Sequence, residues 1–423
     1  MDNRALSAFA SGSHCGLLSR SVVEEQTFLF TYDRACADHH AVSLTMPVLP
    51  DQYDSVGTIH PVFEMNLPEG QLRHRLELMF SKVIPDFDAL SLLALTGRSQ
   101  LGRLRYAAQG DSPEEVPAES VGTLLAYKGS EDLFDDLMER YARYSGISGM
   151  QPKVLVRDLP GPLDRMTDRG ATHIVKSFDP REFPELAANE YFALKAAAYA
   201  GLPTAAARLS DNRKLLVLER FDRAADGSYA GFEDFCVLSG LRSAGRYHGS
   251  YEDLAQKVAV FVSPEHGRQA MEQLFGMIVL ACVIRNGDAH LKNFAILYDA
   301  PGRNVRLAPA YDLVSTTPYQ PKDVLALSLN GDRRFPSRKV LMQFSRHACG
   351  LSNRRATAIV GRVVEGVRKA LVEMTAYGLA QPDFSDAAAR FAKTYEEGLE
   401  VLAEGGSQPR KSRPLPVYRG RMV

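Results

Sequence analysis

No two of the five cysteines in this 423-residue chain, Cys15, Cys36, Cys236, Cys282 and Cys349, stand close enough to form a C-x-x-C pair. Their odd number and wide spacing argue against a zinc or dithiol redox site and point to a reducing compartment. Charge of one sign is equally lacking, with 50 Lys and Arg against 51 Asp and Glu. No global field draws the chain to nucleic acid or an anionic membrane, so any such partner must be met by a local patch. Long hydrophobic runs are missing too. The longest, Leu274 to Ile284, lies between Gln273 and Arg285; it is short of the ~20 residues that cross a bilayer and predicts a buried helix. Residues 1–20 mix Asp2, Arg4, Ser and His with no continuous apolar stretch, which predicts neither secretory signal nor membrane anchor. No internal repeat is seen. The expectation is a cytoplasmic protein of about three structural units at roughly 150 residues each.

What is present falls into three regions. Up to about residue 60, short apolar runs such as Thr27–Tyr32 and Ala41–Leu44, the latter followed by Pro47 and Pro50, predict strands of a small sheet. From Leu67, apolar residues at near-helical spacing (Leu72, Leu76, Leu78, Met79, Val83) predict a helix, and Phe87 to Leu95 predicts another. A stretch over 109–120 with two prolines and three glutamates reads as a linker or long surface loop. Strands are expected at Lys153–Val156, Thr172–Phe178 and Leu215–Phe221, with a helix over Leu186 to Ala200 ended by Gly201 and Pro203. After residue 250 helices dominate: Leu254–Val262, Glu265–Ile284, Asn353–Tyr377 and Phe384–Leu402. The tail from Gly405 carries five arginines and lysines, three prolines and no acid, and is expected to lack fixed structure.

The segment Asn286-Gly287-Asp288-Ala289-His290-Leu291-Lys292-Asn293-Phe294 follows the apolar helix and precedes the strand-like Ala295–Tyr298. An Asp followed five residues later by an Asn is the spacing used in phosphoryl transfer to a hydroxyl: the Asp accepts the proton and the Asn holds Mg²⁺. Further on, Asp312 ends the run Leu307–Tyr311, where kinases place a second Mg²⁺ ligand. Upstream, Lys176 stands alone in an apolar strand pattern and needs an anion, which an ATP phosphate supplies. Glu190, early in the next helix, is placed to hold that lysine by an ion pair. Gly146 and Gly149 before Lys153 have the composition of a phosphate-covering loop, and Glu219-Arg220-Phe221 could serve as an adenine hinge. Each piece alone has a bland reading: a turn, a snorkelling lysine, a helix cap. His290 with Asp288 lacks the further His or Cys that zinc requires. Their order along the chain decides for a two-lobed kinase.

At these residues the chain resembles the HipA family of bacterial serine/threonine kinases, the toxin half of toxin–antitoxin pairs. The likeness lies in Ser148-Gly149-Met150-Gln151-Pro152-Lys153, Thr172–Lys176, Asn189-Glu190-Tyr191, Leu218–Arg223, Gly287–Phe294 and Pro309–Asp312. It extends to Phe63-Glu64-Met65-Asn66-Leu67-Pro68-Glu69-Gly70, similar to a signature of the family's small amino-terminal domain. The resemblance implies an α+β fold: a two-lobed protein-kinase-like body with a small amino-terminal α/β domain (1–110), a nucleotide-binding N-lobe (121–225), an all-helical C-lobe (226–404) and a basic tail (405–423).

Position by position, it implies that Asp288 is the proton acceptor, that Asn293 and Asp312 hold Mg²⁺, and that Lys176 contacts the ATP phosphates. Ser148 to Lys153, His290, Leu291, Lys292, Tyr311 and the hinge Glu219, Arg220 and Phe221 would line the nucleotide. Ser148, with Ser145 as the alternative, would be the autophosphorylated residue. The implied substrate is an aminoacyl-tRNA synthetase, that for glutamate, and the implied partner is a helix-turn-helix antitoxin that brings operator DNA with it. Two rivals stay open: a small-molecule phosphotransferase with a similar Asp-x-His-x-x-Asn loop, and a nucleotide-binding regulator without catalysis.

Overall fold

The computed structural model of the chain describes residues 5–112, 153–156 and 172–403, apart from 25, 70–72, 75–76, 79, 81–86, 98–99, 179–180, 182 and 225. The linker over 109–120, the helix over Leu72 to Val83, the Gly-rich loop and the basic tail therefore lie largely or wholly outside the described residues. The chain divides into two compact units. One comprises Met1–Ser177, Ala206–Arg246 and Ala295–Val305; the other comprises Phe178–Ala205, Tyr247–Phe294 and Arg306–Val423.

The first unit opens with β1 (Ala5–Ala10), β2 (Ser13–Arg20), β3 (Thr27–Tyr32), β4 (Tyr53–Val56) and β5 (Leu104–Ala108). They form an antiparallel sheet in the order β4-β3-β2-β1-β5. Strand alternation turns Phe28, Phe30 and Tyr32 inward. Phe63, on the helical turn α1 (Pro61–Glu64), packs tilted against Phe30 at 5.0 Å. The helix α2 (Ala89–Thr96) starts at Asp88, whose carboxylate accepts from Ser91 N at 2.8 Å, a side-chain cap of the expected kind. Ala41–Leu44 is not the expected strand. Two of its amides are taken by side chains instead: Val42 N donates to Tyr32 Oη at 2.8 Å and Leu44 N to Glu233 Oε1 at 2.9 Å.

A second antiparallel sheet joins β6 (Lys153–Val156), β7 (His173–Ser177), β8 (Ala207–Leu209) and β9 (Leu215–Glu219) in the order β6-β7-β9-β8. Three of these match the sequence expectation. The three-residue β8 was too short to show a period. β10 (Gly231–Asp234) and β11 (Ala295–Tyr298) pair antiparallel. Glu233 on β10 is buried and accepts from Ser43 Oγ, Leu44 N and Tyr298 Oη at 2.5, 2.9 and 2.7 Å; burial pushes its carboxyl up.

The second unit is built of helices. α3 (Leu186–Tyr199) ends at Ala200, and Gly201 at φ 73° makes the left-handed exit its sequence predicts. α4 (Tyr251–Phe261) starts with a capping box, Ser250 and Asp253 each bonding the other's backbone. α5 (Pro264–Val283) buries the apolar run Leu274 to Ile284. After the short strand β12 (Arg306–Leu307) come α6 (Arg338–His347), α7 (Asn353–Ala380) and α8 (Ser385–Leu402). α6 was not expected, because Leu341 and Phe344 are its only buried large apolar residues. α7 packs on α3, α5, α6 and α8. Its Gly366 sits so close to α3 that a Cβ would lie 2.5 Å from Ala200 N. Among the described residues, no helix is long and apolar enough to cross a membrane.

Candidate active site

The site begins where α5 stops. Arg285 takes φ 56°, turning the chain out of the helix. Its carbonyl accepts from Thr316 N at 3.1 Å and from Thr316 Oγ1 at 3.0 Å. Gly287 N donates to the same Oγ1 at 2.8 Å, and Asp288 N donates to Asn286 Oδ1 at 2.9 Å, closing a side-chain turn. Beyond it, His290 N donates to Asp288 O at 2.7 Å and Tyr251 Oη to Ala289 O at 2.9 Å. A 3₁₀ turn over Leu291–Asn293 leads toward β11. Glycine is obligatory at 287: a Cβ there would fall 1.9 Å from Asp323 Oδ2 and 2.6 Å from Val324 O.

This backbone delivers side chains to one place. Asp288 is 2% exposed, and its Oδ1 accepts from Tyr247 Oη at 2.7 Å. The Tyr247 ring stands edge-on to His290 at 5.0 Å, and His290 Nε2 lies 3.9 Å from Asp288 Oδ2. Asn293 is buried; its Nδ2 donates to Asp312 O at 3.3 Å, while its Oδ1 has no hydrogen-bond partner among the described residues. Tyr311 Oη donates to Lys292 O at 2.7 Å. Asp312 itself sits at φ 50°, a left-handed backbone that a non-glycine residue adopts at a cost. The following Ser315 is clamped by Asn189 of α3, whose Oδ1 accepts Ser315 N at 2.7 Å and whose Nδ2 donates to Ser315 O at 2.9 Å.

The structure thus brings Asp288, His290, Leu291, Lys292, Asn293, Tyr311 and Asp312 together in the second unit. No group of three His, Cys, Asp or Glu side chains suited to a metal occurs among the described residues. A hard divalent cation that takes one or two protein oxygens plus phosphate and water makes a smaller demand. The unpartnered Asn293 oxygen beside the Asp312 backbone fits it.

The other candidates lie elsewhere in the chain. Lys176 on β7 is buried at 3% exposure and, in the first unit, stands opposite Lys153 in the strand register. Glu190 on α3, in the second unit, is 1% exposed. Glu219 ends β9 with an exposed side chain, and its N donates to Ala206 O at 2.9 Å. Arg220 N donates to Thr172 O at 3.0 Å, and its guanidinium is buried against Asp222. Phe221 is half-buried, 6.2 Å from the Phe232 ring. Ser148, Gly149, Met150, Gln151 and Pro152 lie outside the described residues. In the amino-terminal signature, Asn66 Nδ2 donates to Leu101 O at 3.3 Å and Glu69 accepts from Arg246 Nη1 at 3.2 Å. Tyr247, Thr316 and Asp222 were not singled out from sequence for these roles. Nothing in the local pattern marks Tyr247, 41 residues before Asp288.

Comparison with known proteins adds to this geometry. The family model for the HipA-like C-terminal domain matches residues 145–371, and that for the HipA N-terminal domain matches residues 6–107. A Sinorhizobium fredii protein named "Putative kinase Y4mE" is 31% identical over 310 residues, 69% of this chain and 72% of that protein. A Haemophilus influenzae protein with the same kind of name is 27% identical over 187 residues, 41% of this chain and 53% of its own. The solved complex of the Shewanella oneidensis MR-1 toxin–antitoxin system HipA, HipB and operator DNA contains a chain that superposes with a TM-score of 0.69. That likeness has 19% identity and covers 94% of this chain and 97% of the other. The fold is kinase-like and α+β. With both of its characteristic domains matched in order along one polypeptide, the chain belongs to the HipA family.

Proposed function

We propose that this protein is an ATP-dependent protein serine/threonine kinase acting as the toxin of a toxin–antitoxin pair. The observation that carries this reading is the joint placement of Asp288, Asn293 and Asp312, with the Asn293 oxygen buried and unpartnered among the described residues. Asp288 takes the proton of the attacking hydroxyl. Asn293 Oδ1 and the Asp312 carboxylate are the donors for Mg²⁺, which when bound neutralises charge on the transferred phosphate. Lys176, paired with Glu190, contacts the ATP phosphates. Ser148 to Lys153 cover them, Glu219 to Phe221 receive the adenine, and His290 to Lys292 with Tyr311 complete the lining. In this reading 1–110 is the amino-terminal domain, 121–225 the N-lobe, 226–404 the C-lobe and 405–423 the tail; the C-lobe is mainly helical and not all-helical, because β10, β11 and β12 fall within it.

Autophosphorylation at Ser148 would place about −1.5 to −2 charge where ATP binds and so limit the enzyme by like-charge repulsion. By likeness to the Shewanella complex, the partner is a helix-turn-helix antitoxin that carries operator DNA. By kinship, the substrate is the synthetase that charges tRNA with glutamate. The test is transfer of labelled γ-phosphate by purified protein, wild type beside Asp288→Ala, with phosphosites mapped by mass spectrometry. Label on Ser148 that disappears in the variant is the expected result. Absence of transfer from folded, unphosphorylated protein that binds ATP would sink the kinase reading.

A further inference from the structure

Resting on that reading, we propose that Tyr247 is the positioning residue for the acceptor aspartate. Its hydroxyl donates to Asp288 Oδ1 at 2.7 Å, fixes the carboxylate plane and leaves Oδ2 as the oxygen that takes the substrate proton.

A carboxylate buried to 2% exposure is oriented by the few groups that reach it. Tyr247 is itself held in two ways. Its ring stands edge-on to His290 at 5.0 Å, and its carbonyl accepts from Arg333 Nη2 at 2.9 Å. Three residues later the Ser250–Asp253 capping box starts α4 and gives the segment a rigid end. The backbone around Asp288 is anchored independently, by Asn286 Oδ1 and Thr316 Oγ1. Tyr247 therefore acts on the side chain of Asp288, not on the course of the loop.

In the transfer step, the acceptor hydroxyl oxygen bonds to the γ-phosphorus as the bond from that phosphorus to the bridging oxygen breaks. ADP leaves with the electron pair, and the hydroxyl proton ends on Asp288 Oδ2. Tyr247 keeps its own proton throughout.

The experiment pairs kinetics with spectroscopy on the full chain. In Tyr247→Phe, kcat is expected to fall about tenfold, the size of effect that follows from losing one hydrogen bond to a charged group, with KM for ATP unchanged. In protein labelled with ¹³C at the aspartate carboxyls, the Asp288 signal, assigned by its loss in Asp288→Asn, should shift and broaden in Tyr247→Phe at constant pH. An unmoved signal overturns the assignment of Tyr247 whether or not the protein transfers phosphate, and so does a kcat equal to or above wild type. A raised KM for ATP with kcat intact overturns it as well, by moving the residue to nucleotide binding. A moved signal in a protein whose wild type transfers nothing supports the positioning contact and removes the kinase reading alone.

Discussion

Arg220 grips Asp222 with two parallel bonds, Nε to Oδ1 at 3.0 Å and Nη2 to Oδ2 at 2.6 Å. The same pair reaches back 120 residues, where Arg220 Nη2 donates to Gln100 O at 2.8 Å and Asp222 Oδ2 accepts from Gly102 N at 2.6 Å. Both side chains are sealed from solvent, at 0% and 1% exposure. The segment proposed as the adenine hinge is thus tied to the loop before β5 by charge-assisted bonds, and the side chain of Arg220 is engaged in that tie.

Removing Asp222 leaves a buried cation without its counter-charge, so Asp222→Ala should lose about 3–5 kcal/mol in urea denaturation at neutral pH. Burial pushes the Asp222 carboxyl up, but the charge and hydrogen bonds of Arg220 outweigh it and hold the group below its ordinary 3.8. Its contribution to stability is accordingly complete above 3.8 and is lost as pH falls below that value through the folded-state pKa. Wild type and Asp222→Asn should therefore differ at pH 7 and converge in strong acid. Parallel curves at all pH values would refute the assignment.

Gly287→Ala should cost activity out of proportion to its size. The added carbon would meet Asp323 Oδ2 at 1.9 Å and Val324 O at 2.6 Å, and the second of these is backbone. A displacement of the loop of this order is expected to reduce transfer about a hundredfold. Adding Asp323→Ala should not restore it, because the carbonyl contact remains. Restoration in the double variant would show that the side chain alone set the limit.

Thr316→Val keeps the shape and deletes the hydroxyl that accepts from Gly287 N and donates to Arg285 O. Leaving a buried amide unpaired costs about 1–3 kcal/mol. Equilibrium unfolding should show this loss, with transfer reduced even where the protein remains folded.

At Asp312 a left-handed backbone meets the proposed cation site. At φ 50° a glycine carries no Cβ penalty, so Asp312→Gly should match or exceed wild type in stability, by about 0.5 kcal/mol, while losing phosphate transfer. Asp312→Asn, which tolerates the same backbone, should fold as wild type and show the same loss of transfer. Retained transfer in either variant would remove Asp312 from the proposed cation site.

The readable part of the site was the part contiguous in sequence. Asp288, His290, Lys292 and Asn293 fall within one turn-rich segment bounded by an apolar helix and a strand, so type and spacing together carried the signal. Tyr247 and Thr316 reach the same loop from 41 and 29 residues away, and one hydroxyl in an unremarkable stretch has no periodicity to announce it. The long helices α5, α7 and α8 were legible because an apolar stripe repeats over several turns. Ala41–Leu44 has the composition of a strand, yet the amides of Val42 and Leu44 bond to Tyr32 and Glu233, and a partner 189 residues away is invisible to local pattern.

Gly366 has a consequence for motion. By letting α7 back directly onto α3, it commits a 28-residue helix to the centre of the second unit, where its amides should exchange with solvent only on global unfolding. The loop carrying Asp288 is held by individual hydrogen bonds, Asp288 N to Asn286 Oδ1 and Gly287 N to Thr316 Oγ1 among them, and can open far more cheaply. Loop breathing and helical permanence are thereby separated within a single unit, so that hydrogen exchange would report two widely spaced protection levels there.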